Sequence, residues 1–175
     1  MDAAAHYRHL LTLGREEFLA AAAPAVLLRY RLRTADSRRA PITQTLGADD
    51  LETMDRELGQ LRLGSGRTEL ELYPLLKKPG ASFPDRITIG RTTNNDVVIS
   101  DHSVSRLHAY VRFADGWVVA DAGSKNGSWL GHDVLEARRE VAIAQGSALR
   151  LGDVRLTFYC AEDLYEMLGA EHVGA

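Results

Sequence analysis

Residues 105 to 108, within the stretch DHSVSRLHAY, set a serine hydroxyl, an arginine guanidinium and a histidine imidazole close together. Three chemistries are open to them. Ser105 with His108 could be a nucleophile beside its general base, with Asp121 further along orienting the imidazole. Ser105 with Arg106 could form part of an anion cradle, because a guanidinium presents a planar fork of donors and a hydroxyl adds another. The stretch could also be no more than a turn running into a strand.

Two further loop stretches narrow the choice. Arg91 follows Gly90 in ITIGRTTNNDVVI, at the end of an expected strand, and Lys125, Asn126 and Gly127 sit in the turn-forming run DAGSKNGS. Successive loop N–H groups can form an anion-holding nest. An asparagine amide both donates and accepts, which suits a peptide backbone. The nucleophile reading lacks a strand-to-helix elbow and any recognisable oxyanion device. His108, opening an alternating apolar strand, is better placed to brace loops than to take a proton. His6 and His9 lie one helical turn apart without a third ligand, so no metal is expected. There is no glycine-rich phosphate loop, and no cofactor is expected. What remains is a small electropositive cup.

A cup made of loops needs a rigid frame, and from Thr68 onward the chain has the texture of one. TELELYPLL alternates polar and apolar residues, the period of a half-buried strand. Short strand-like runs follow, among them RITIG, DVVIS, LHAYVRF, GWVVAD, ALRLG and VRLTFY, separated by Asn-, Asp- and Gly-bearing turns. The expected fold class is all-β, an antiparallel β-sandwich of about the size typical of such domains, with a small N-terminal α-helical region. Residues 2 to 33 read as helix through the spacing of Tyr7, Leu10, Leu11, Phe18 and Ala22, interrupted at Pro24, with RYRLR ambiguous. A polar connector follows, then a short amphipathic helix on Leu51, Met54, Leu58 and Leu61. The organisation expected is residues 1–64 as helical region and connector, 65–162 as the sandwich, and 163–175 as a short helix or tail.

The 175-residue chain is 45% hydrophobic and 26% charged, the composition of a globular protein. Its net charge of −3 offers no basic field for a nucleic-acid backbone, so no nucleic-acid partner is expected. The single cysteine, Cys160, cannot close an intramolecular disulfide, which fits a reducing compartment. The N-terminus lacks the pattern of a secretory signal, and FLAAAAPAVLL falls short of the ~20 apolar residues that span a bilayer. The expectation is a cytoplasmic protein with no membrane insertion.

The ordered set Gly90-Arg91, Ser105-Arg106-Leu107-His108 and Asn126-Gly127, with NNDVVI, VAD and QGSALRLGDVRLTFY in place between and after, resembles a forkhead-associated (FHA) domain over roughly residues 68–160. The resemblance implies an eleven-stranded sandwich whose apical loops bind phosphothreonine peptides, without catalytic activity, downstream of a Ser/Thr kinase. It implies that Arg91 and Ser105 contact the phosphate and that Arg106 lies beside it. Asn126 then hydrogen-bonds the peptide main chain with Lys125 flanking, while Gly90, His108 and Gly127 are structural. Ser128, Leu130 and Ser147 depart from residues frequent in the family, which bears on loop detail and peptide preference. The competing reading keeps the sandwich as a phospho-independent scaffold for protein docking. In the connector, Thr43 and Thr45 stand in RRAPITQTLGADD, where phosphorylation could make the chain its own ligand.

Overall fold

The computed structural model describes residues 3–32 and 68–173. Helices α1 (Ala3–Leu13) and α2 (Arg15–Ala21) lead into strand β1 (Ala25–Leu32). Then come β2 (Thr68–Pro74), β3 (Ile87–Gly90), β4 (Val97–Val98), β5 (Ala109–Phe113), β6 (Trp117–Asp121) and β7 (Ser128–Leu130). The chain continues through β8 (Asp133–Val134), β9 (Val141–Ala142), β10 (Ala148–Leu151), β11 (Val154–Cys160) and helix α3 (Ala161–Val173). Two sheets form, a six-stranded one in the order β2-β1-β11-β10-β7-β8 and a five-stranded one in the order β4-β3-β5-β6-β9. The paired strands run antiparallel except β3 and β4, which are parallel.

The inner faces of the sheets supply one core. Leu27, Leu149, Leu151, Leu156 and Phe158 meet Ile89, Ile99, Val111 and Val119, all buried. A second core lies outside the six-stranded sheet, where the helices pack Tyr7, Leu10, Phe18, Leu164 and Leu168 onto Val26, Leu28, Leu70 and Leu72. Phe18 stacks edge-on against Tyr7 and Tyr165, with ring centroids 5.8 and 5.2 Å apart.

Strand β1 corrects the helical reading of residues 2–33. Helix α1 ends at Leu13, Gly14 takes a φ of 105°, and α2 stops at Ala21. The run AVLL is a strand with both faces buried: Ala25 and Leu27 enter the inter-sheet core, while Val26 and Leu28 enter the helical one. A strand covered on both sides loses its alternation and reads as a continuous apolar run. β1 pairs with β11 (Ala25↔Cys160) and with β2 (Val26↔Pro74 through Leu32↔Thr68). The six-stranded sheet therefore includes residues N-terminal to the boundary expected at residue 65, and residues 33–67 connect β1 to β2. The amphipathic helix expected on Leu51 to Leu61, and Thr43 and Thr45, lie outside the described residues. Helix α3 begins directly after β11, two residues before the tail boundary at 163. Among the described residues no helix is long and apolar enough to cross a membrane.

Candidate functional site

Strands β3, β5 and β6 are neighbours with alternating direction, so the end of β3, the start of β5 and the end of β6 come together at one edge of the sandwich. The loops there are residues 91–96, 99–108 and 122–127. Backbone bonds splice them: the Arg91 N–H donates to Ser105 O at 2.9 Å, and the His108 N–H to Ile89 O at 2.9 Å. Gly90 lets the first two loops touch. A Cβ there would sit 2.2 Å from the Arg106 carbonyl oxygen and 2.7 Å from Asn95 Nδ2, so the position admits no side chain.

His108 is fully buried and holds two loops at once. Its Nδ1 accepts the Ser105 backbone N–H at 2.9 Å, which places its proton on Nε2, 2.9 Å from the Gly127 carbonyl oxygen. Burial is the main influence on its pKa and lowers it, opposed by the Gly127 bond and the charge of Asp121. Both ring nitrogens are committed to backbone partners, so the imidazole is not hydrogen-bonded as a base to the Ser105 hydroxyl. Asp121 does not hydrogen-bond the imidazole either. It accepts from the N–H groups of Gly123 and Ser124 at 2.7 and 2.8 Å and from the hydroxyls of Ser124 and Ser128. Burial alone would raise its pKa, but these bonds outweigh it and lower the value. The geometry of a Ser105–His108–Asp121 triad is not formed. Asp121 instead folds the third loop, where Gly127 takes a φ of 85°.

The edge opens into a cleft of about 880 Å3, and Arg91, Ser105, Arg106, Lys125 and Asn126 all line it. The Ser105 Oγ accepts the Lys125 backbone N–H at 2.9 Å, which leaves its own proton to be donated elsewhere. Asn126 donates through Nδ2 to Ser103 O at 2.8 Å, fixing the plane of its amide. Arg91 Nη1 makes one long bond of 3.4 Å to His102 O, so most of its donor fork is uncommitted. Arg91, Arg106 and Lys125 are exposed, and among the described residues none of the three forms a salt bridge. Three cations without an ion-pair partner among the described residues, and a serine donor, line one open concavity, an arrangement whose chemistry suits an anion. Among the described residues no group of three or more His, Cys, Asp or Glu side chains could hold a metal ion.

The sequence reading missed several residues that shape this edge. Asn95 is buried and donates to the Arg106 and Thr92 carbonyls at 2.6 and 2.9 Å. The Asp96 carboxylate, fully enclosed, takes Lys77 Nζ at 2.7 Å together with the N–H groups of Lys78 and Thr88, both at 2.8 Å. As part of an NND run, both residues read as ordinary turn formers. His102, Asn94 and Leu107 also line the cleft; His102 had only its place near the motif as a signal, while Leu107 and Asn94 stood within the quoted motif stretches without a site role.

Comparison with known proteins fits this architecture. Residues 87–152 match the family profile of the FHA domain. The oxoglutarate dehydrogenase inhibitor of Corynebacterium glutamicum is 30% identical over 126 residues, 66% of this chain and 86% of that protein. The Corynebacterium diphtheriae protein of the same name is 36% identical over 72 residues, covering 41% of this chain. The chain belongs to the FHA domain family. It spans 48% of the C. diphtheriae relative's length, so the match there is to a part of that protein. The solved structure of Mycobacterium tuberculosis EmbR with a low affinity phosphopeptide is 29% identical and overlaps with a TM-score of 0.42, covering 57% of this chain and 23% of that one. That overlap is too loose to add weight.

Proposed function

We propose that the cleft captures phosphothreonine in a protein partner, making the chain a phosphorylation-dependent binding module in the cytoplasm, downstream of a Ser/Thr kinase. The observation that supports this reading is the convergence of Arg91, Ser105 and Asn126, from three separate loops, on one open concavity. A phosphate brings about −1.5 to −2 charges and three acceptor oxygens. The Arg91 fork and the Ser105 hydroxyl match those oxygens, with Arg106 and Lys125 adding field at the rim. Asn126, its amide plane set by Ser103, presents its remaining polar atoms to a peptide backbone. A regulatory binding role accords with the C. glutamicum relative's name as an enzyme inhibitor. Calorimetric titration with a phosphothreonine peptide pool and its unmodified counterpart tests the reading. Binding of the phosphorylated pool alone supports it, and equal binding of both overturns it.

A further inference from the structure

We infer that Arg29 of strand β1 is a positioning residue for the phosphopeptide loop, acting through Asp101; the inference rests on the phosphothreonine reading of the cleft. Arg29 lies far from the motif residues in sequence and outside the family match at residues 87–152. The fold brings it beside the second loop, where its Nη2 stands 3.3 Å from Asp101 Oδ2. Both side chains are mostly buried, at 16% and 21% exposure, so solvent screens the pair less than a surface ion pair.

Asp101 organises the loop with its other oxygen. Oδ1 accepts the Ser103 N–H at 3.0 Å and the Ser103 hydroxyl at 2.8 Å, the arrangement of an Asx turn. The Val104 N–H closes the turn on the Asp101 carbonyl at 3.1 Å. Ser103 is then a junction. Its hydroxyl oxygen accepts the Asp153 N–H at 3.0 Å, and its carbonyl receives the Asn126 amide at 2.8 Å. The next residue back, His102, offers its carbonyl to Arg91. The postures of Asn126 and Arg91 both depend on the segment that Asp101 folds.

Arg29 has two effects on Asp101. It holds the carboxylate from the side away from Ser103, and it balances a negative charge one residue before the cleft-lining His102. Glu71 alone would not substitute, being an acid 3.6 Å from Arg29 Nη1. Without Arg29 the Asp101 charge keeps, among the described residues, only the exposed His102 imidazole, 3.7 Å from Oδ1, as a basic neighbour behind an anion site, and its grip on the turn loosens.

The test uses the full chain and the phosphothreonine peptide that binds it best from a degenerate library. Arg29→Ala should weaken that peptide by roughly five- to tenfold, the scale of one hydrogen bond's net contribution. The Ser103 amide and the Asn126 side-chain amide should move in nitrogen–proton NMR spectra. Arg29→Ala/Asp101→Asn should recover affinity to within about twofold, because asparagine keeps the Asx acceptor and removes the charge. Arg29→Gln, which retains the stem's packing, serves if the alanine variant does not fold. Wild-type affinity in a folded Arg29 variant, or no recovery on adding Asp101→Asn, overturns the inference. If the library yields no binder, the phosphothreonine reading fails by itself. The Ser103 and Asn126 resonances of Arg29→Ala then decide the positioning role alone: their movement upholds it and their constancy overturns it.

Discussion

His108 accepts the backbone N–H of Ser105 on Nδ1 at 2.9 Å, while its Nε2 faces the Gly127 carbonyl at the same distance. One buried ring thus spans two loops of the cleft. His108→Ala leaves both half-buried backbone groups without their partner, at up to about 1–3 kcal/mol for each group left unpaired. Its melting temperature should fall well below that of Arg91→Ala. A His108→Ala protein that melts like wild type yet has lost peptide binding would assign the ring to ligand contact.

The same burial gives a pH dependence. The folded His108 pKa is lowered from 6.5, chiefly by desolvation. The unfolded chain therefore binds the proton more readily, and the stabilisation from the neutral ring is complete above pH 6.5. It is lost as the pH falls from there through the depressed folded value. Asp121, also lowered, from 3.8, holds its contribution until the pH drops below that figure, and loses it through its own folded pKa. An NMR titration of the imidazole protons should place His108 below the ordinary histidine midpoint. A midpoint at or above 6.5 contradicts the assignment.

Arg91→Ala should weaken phosphothreonine peptide binding by about one to two orders of magnitude, from a charged hydrogen bond of about 1.5–3 kcal/mol at ~1.4 kcal/mol per decade. Its guanidinium is exposed and makes a single long bond among the described residues, so thermal unfolding should be nearly unchanged. Calorimetry and a melting curve on the same sample check both halves. A binding loss with a matching drop in stability would count against direct phosphate contact.

Gly90→Ala should damage stability and binding together. The added methyl would meet the Arg106 carbonyl at 2.2 Å, and that contact is with backbone, which cannot swing aside. The loop carrying Ser105 has to move. A folded Gly90→Ala protein with wild-type affinity would show that the loop yields cheaply.

A chain cut to residues 65–162 should not unfold cooperatively. It lacks β1, which removes Ala25 and Leu27 from the inter-sheet core and exposes the edges of β2 and β11. Restoring residues 1–64 as a separate peptide offers β1 a place to pair and should recover part of the transition. Circular dichroism of the shortened chain, alone and mixed, reads this out, and a sharp melt of 65–162 alone would refute it.

The amino-acid sequence alone determined the turn-punctuated strands after Thr68 and the three loop stretches bearing Arg91, Ser105 and Asn126. Those signals are local: alternation marks a half-buried strand, and glycine or asparagine marks a turn. Tertiary structure decided the rest. β1 escaped because a strand covered by a sheet partner on one face and helices on the other shows no period of two, and its apolar run extends a helical pattern. The roles of His108 and Asp121 were set by which backbone groups the folded loops present, a matter of geometry that residue type leaves open. Asp101 drew no reading of its own in the sequence, and Arg29 read as part of an ambiguous segment, because the 72 positions separating them in the chain are closed only by the fold. Contacts at that separation carry no periodicity, so no window of sequence contains them.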